Sequence, residues 1–88
     1  MGMPKKGTRR ICVDRMPYRW IARELLPGLR IIVQAVERSG AVLILRTDQN
    51  IAATHVPPSQ IAAAIQSARA AGWEPQHPGP PVEVSMSL

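Results

Sequence analysis

Ala68-Arg69-Ala70-Ala71-Gly72-Trp73-Glu74-Pro75 marks the point where an amphipathic helix stops and a proline-rich segment begins. Apolar residues at Ile61, Ala64, Ile65 and Ala68, with Gly72 continuing the series, are spaced to fall along one helical face. Pro58 suits the first helical position, where a missing N–H leaves no intrahelical bond unmade. Gly72 tolerates positive φ and so suits the C′ position, which puts Trp73 at C″, packed back on the last turn. Pro75 cannot continue the helix. These signals predict a helix from about Pro58 to Ala71, with Trp73 as its buried anchor.

Upstream of the helix the periodicity changes from 3.6 to 2. Arg10 to Asp14 alternates, Met16-Pro17 reads as a break, and Tyr18 to Arg23 alternates again, setting Tyr18, Trp20 and Ala22 opposite Arg19, Ile21 and Arg23. Pro27-Gly28 is a turn signal, after which Leu29 to Glu37 forms a strand with Leu29, Ile31, Val33 and Ala35 on one face. Ser39-Gly40 turns the chain into a further strand, Ala41 to Thr47, a connection short enough to require an antiparallel hairpin. Asp48-Gln49-Asn50 is a loop, and Ile51 to Val56 is a candidate fourth strand. Gln76 to Pro81 is too proline-dense for a helix or a central strand, and Val82-Glu83-Val84 is at most an edge pairing.

The expected fold is therefore α+β: an antiparallel three- to four-stranded β meander with one C-terminal helix packed on one face. Residues 1–9 read as a flexible basic arm, 10–75 as a single domain and 76–88 as a proline-rich extended tail. Eighty-eight residues leave room for one core. No Phe is present, so that core is aliphatic, with Tyr18, Trp20 and Trp73 as its only aromatic members.

Tyr18-Arg19-Trp20 on an early strand, the alanine-rich helix, Gly72-Trp73-Glu74-Pro75 and Gly79-Pro80-Pro81 together carry a resemblance. Over roughly residues 10–82 the chain resembles small uncharacterised bacterial single-domain proteins with an early YRW strand and a GW-x-P…GPP ending. The shared motifs are structural punctuation, and the resemblance implies no activity.

Residue types that carry chemistry are sparse. Cys12 is the only cysteine, which excludes an intramolecular disulfide, and its place between Ile11 and Val13 suits a compact hydrophobe better than a nucleophile. His55 and His77 share no metal-ligand spacing with each other or with Cys12. Glu24, Glu37, Asp48 and Glu74 stand singly in turns or at strand ends, with no acid/base pair among them. Ser39-Gly40 lacks the glycines of a nucleophile elbow, and no glycine-rich phosphate loop is present. The expectation is a protein that is not an enzyme and takes no cofactor or metal. With no apolar leader or membrane-length apolar run, and Lys6 where a myristoylation motif needs Ser or Thr, it reads as cytoplasmic without a membrane partner.

Two surfaces remain. A single helix covers one side of a sheet, and the other side still carries Ile21, Ile32, Val36, Val42 and Ile44, rimmed by Arg19, Arg23, Arg30 and Arg46. An apolar patch of that kind marks association, which points to a small interaction module binding a protein partner or itself, as a symmetric homodimer. The alternative is electrostatic. Residues 1–30 hold eight Lys/Arg against Asp14 and Glu24, a balance of +6, whereas residues 31–88 balance at −1. Lys5, Lys6, Arg9, Arg10, Arg15, Arg19 and Arg23 are then candidate contacts for low-specificity nucleic-acid binding, with Arg19 and Arg23 on one strand face.

Overall fold

A computed structural model of the protein describes residues 7–25, 28–47 and 56–86. In chain order the elements are β1 (Arg9–Val13), β2 (Met16–Leu25), β3 (Gly28–Ala35), β4 (Leu43–Thr47), α1 (Pro58–Ala70) and β5 (Val82–Ser85). The strands form one sheet in the order β1-β2-β3-β4-β5. The first four pair antiparallel with their sequence neighbours, and β5 joins β4 in parallel.

The fold is thus α+β, but the expected three- to four-stranded antiparallel meander is corrected to a five-stranded mixed sheet. The difference lies in the segment after Gln76, where Val82–Ser85 forms a strand beyond the proline-rich run. Nor is the helix the last element: α1 lies between β4 and β5 and reverses the chain so that β5 can run parallel to β4, a pairing that no tight turn can make. The Ile51 to Val56 candidate strand lies outside the described residues except for Val56, which is buried just before α1 and belongs to no strand.

Met16-Pro17 does not break the sheet, because both residues lie inside β2. The reversal occurs instead at Asp14-Arg15, where φ values of 51° and 67° make a two-residue hairpin turn with both residues left-handed. Pro17 is tolerated because its missing N–H would point towards Val36, one residue past the end of β3. The only bond needed there runs the other way, from the Val36 N–H to the Pro17 carbonyl at 3.1 Å.

The helix ends as its sequence dictates. Gly72 takes φ 113°, its N–H donates to the Arg69 carbonyl at 3.1 Å, and the Trp73 N–H donates to the Ala68 carbonyl at 3.0 Å. This is a Schellman motif with Trp73 at C″. Trp73 is buried, its indole N–H donates to the Ala41 carbonyl at 3.0 Å, and its ring lies 5.9 Å from that of Tyr18. The helix buries Ile61, Ile65 and Ala68 against one sheet face built from Val13, Tyr18, Trp20, Leu29, Ile31, Val33, Ala35, Leu43 and Leu45. Alternation along β2, β3 and β4 assigns all of these but Val13, which lies on β1, to the inner face, as the sequence predicts. Each fully buried aliphatic side chain in this cluster contributes about 1.5–3 kcal/mol.

The segment after the helix is sewn back onto the β3–β4 connection. Gly40 N–H donates to the Pro75 carbonyl at 2.9 Å and Ala41 N–H to the His77 carbonyl at 2.7 Å. Gln76 Nε2 adds a bond to the Glu37 carbonyl at 3.1 Å. These contacts aim the chain at the outer edge of β4, where Val82 N–H reaches the Val42 carbonyl at 3.0 Å and Met86 N–H the Arg46 carbonyl at 2.8 Å.

Candidate functional site

With the helix on one face, the sheet's second face is built by the alternate residues of each strand, and beyond the pair Cys12 and Pro17 at one end the register arranges them in three transverse rows. Arg10, Arg19 and Gln34 stand side by side across β1, β2 and β3. Ile21, Ile32, Ile44 and Glu83 form the next row across β2 to β5. Arg23, Arg30, Arg46 and Ser85 form the third. An apolar row therefore lies between two cationic ones.

The apolar row is less open than expected. Ile21 is 8% and Ile44 6% exposed, and Ile32 is half-buried. Arg19 and Arg30 are also half-buried, and their Nε atoms are buried without a hydrogen-bond partner. Arg19 stands two residues from Ile21 on β2 and Arg30 two from Ile32 on β3, so half-buried arginine stems flank the isoleucines along the strands. Gly7 adds cover at one end, since a Cβ there would lie 3.6 Å from Ile21 Cδ1. Val36 and Val42, the other members of the expected patch, are half-buried and lie just beyond the ends of β3 and β4. Among the described residues the large hydrophobic side chain that stands exposed is Val84, at 38%, on the edge strand β5.

Electrostatics dominate what remains. Arg23, Arg30 and Arg46 are directly opposed on three neighbouring strands, and Arg10 opposes Arg19. Like charges in that relationship repel, and each such pair costs a few tenths of a kcal/mol or more. Glu83 offsets one of them: its carboxylate lies 3.7 Å from Arg46 Nη1, with both side chains more than half exposed. That geometry contributes little in water. Gln34, buried in the first row, is satisfied by donating from Nε2 to Ser39 Oγ at 3.1 Å, and the Ser39 hydroxyl donates in turn to the Ala35 carbonyl.

The remaining cationic candidates separate. Arg9 lies on the helix-side face of β1, its guanidinium 5.6 Å from the Trp20 ring centre in a cation–π contact. Arg15 occupies the exposed β1–β2 turn. Lys5 and Lys6 lie outside the described residues. Arg30 and Arg46, read from sequence only as a rim, complete the third row. Arg9 and Arg23 also line an open cleft of about 370 Å³ with Gly7, Thr8, Trp20, Ile21 and Ala22.

Residue types capable of bond chemistry are scattered among the described residues. Cys12 is exposed on β1, and His77 lies 3.9 Å from Glu74 in an exposed pair near the helix end. Among the described residues no three His, Cys, Asp or Glu side chains gather, and no helix is long and apolar enough to cross a membrane. The chain matches no family model, no curated protein and no solved structure, so the resemblance read from its YRW and GW-x-P motifs rests on those residues alone.

Proposed function

We propose that the protein is a non-enzymatic binding module whose open sheet face takes the phosphate backbone of a nucleic acid. The observation that carries this reading is the cross-strand register of Arg23, Arg30 and Arg46. A sheet has no stability reason to align three guanidinium groups on adjacent strands, and a polyanion laid across them turns a repulsive row into a binding one. Arg10 and Arg19 extend the field, and Glu83, in the row between, sets a carboxylate 3.7 Å from Arg46.

The other reading is association with a protein partner or a second copy through Ile21, Ile32, Val36, Val42 and Ile44. It is the weaker one here. Ile21 and Ile44 are already buried, and a two-fold pairing of this face would bring its arginine rows against one another.

Salt titration of binding to mixed DNA and RNA tests the proposal. If about four phosphates are neutralised, log K falls against log salt with a slope of roughly −3 to −4. Replacing Arg23, Arg30 and Arg46 together by Gln reduces that slope by about 2–3. No binding at low salt, or affinity independent of salt, overturns the reading. Sedimentation at high protein concentration, with Ile32→Lys as the probe, reports on the association reading separately.

A further inference from the structure

We infer that the nucleic acid held by this face is a duplex, gripped by its two backbones and not by its bases; the inference rests on the polyanion reading above. Its first support is where the aromatic rings are. The whole chain has two Trp, one Tyr and no Phe. All three rings are buried on the helix side of the sheet, at 0–3% exposure. Proteins that bind single strands without sequence preference stack successive bases on aromatic side chains, and this open face has none to offer.

The second support is the spacing of the charges. Arg19 and Arg23 lie four residues apart on β2, and so the two arginine rows are separated by about 13 Å along the strands. Two phosphate backbones flank a groove at a comparable distance, about 12 Å for the B-form major groove. A lone strand has one backbone and can follow only one row. Between the rows lie Ile21, Ile32 and Ile44, which have no donor or acceptor with which to read a base edge, and at the β5 end Glu83, whose carboxylate lies 3.7 Å from Arg46.

The third is shape. The helix is packed on the opposite face, so no described helix projects from the open face into a groove. The face lies across the groove and reads neither its floor nor its sequence.

Fluorescence anisotropy at low salt, with the full chain and three probes, tests the inference: a short DNA duplex, an RNA duplex of the same sequence, and each separated strand. At least one duplex is expected to bind about tenfold tighter than its own strands at equal phosphate concentration, and a duplex of scrambled sequence to bind equally well. Arg10→Gln with Arg19→Gln removes the guanidinium groups of one row and should bring duplex affinity down to near the single-strand value. Circular dichroism checks that this variant is folded, and the wild-type comparison stands without it. Single strands binding as tightly as the duplexes, or more tightly, overturn the duplex inference while leaving the polyanion reading intact. No binding by any probe overturns both.

Discussion

Gly40 and His77 lie in backbone-to-backbone contact: a Cβ on Gly40 would stand 2.7 Å from the His77 nitrogen and closer still to its carbonyl group. Gly40 is not among the residues with positive φ, so the requirement for glycine here is one of space. Two hydrogen bonds on either side, Gly40 to Pro75 and Ala41 to His77, hold the strands of chain together. Gly40→Ala should therefore force these backbones apart and lower stability by about 2–3 kcal/mol in urea titration, at the upper end of ordinary overpacking. A loss under about 0.5 kcal/mol would show that the post-helix segment is not held against the β3–β4 connection.

Trp73 joins the helix end to that same connection. Trp73→Ala should cost about 3–5 kcal/mol by emptying a buried aromatic site and removing the bond to the Ala41 carbonyl. Trp73→Phe keeps most of the packing and loses the donor, so about 1–2 kcal/mol is expected. Thermal and chemical denaturation of the pair measures both. Equal losses would mean that the indole N–H, not the ring, holds this corner.

Arg15 offers a gain. It sits at φ 67° in an exposed turn, beside Asp14 at φ 51°. Asp-Gly is the pair that such a turn favours, because glycine has no Cβ to clash in the left-handed region. Arg15→Gly should raise stability by about 0.5–1 kcal/mol, seen as a higher denaturation midpoint with an unchanged m-value. A fall would place the reversal elsewhere.

Arg23 separates stability from binding. It is exposed at the end of the third row, directly opposite Arg30. Arg23→Glu replaces a like-charge pair by an opposite-charge one, and should stabilise the fold by about 0.2–1 kcal/mol at low salt, fading as salt is added. The same variant should bind nucleic acid more weakly. If both stability and binding fall, the row is a structural element and its charge is incidental.

Much of the architecture is legible because its signals are local. Pro58, Gly72 and Trp73 state the two ends of the helix within one short stretch. Alternation along β2, β3 and β4 assigns the inner face, and the Pro27-Gly28 signal in the sequence agrees with the β2–β3 register that pairs Leu25 with Gly28. The parallel β4–β5 pair has no such signal, since its strands are far apart in sequence and Val82–Ser85 is short and polar at every second position. Asp14-Arg15 misleads for a related reason: Asp14 tolerates a left-handed turn but Arg15 does not advertise one, whereas Pro17 advertises a break that its position cancels. The third row, with Arg23, Arg30 and Arg46, is half legible. Arg23 beside Arg30 can be counted from the turn, but Arg46 joins them only through the β3–β4 register, set across a connection pinned by Pro75 and His77.

The late arrival of β5 also orders events in time. The three hairpins of the sheet join sequence neighbours, and such contacts form quickly because little chain entropy is spent in closing them. The β4–β5 pairing must wait for residues 82–86 to be synthesised and brought round by the helix. Until then Leu43 and Leu45 sit on an open strand edge, which is a template for another chain. The nascent protein is thus most exposed to misassembly in the interval between finishing β4 and placing Val82. Chaperone capture during translation should be strongest on chains halted within that interval.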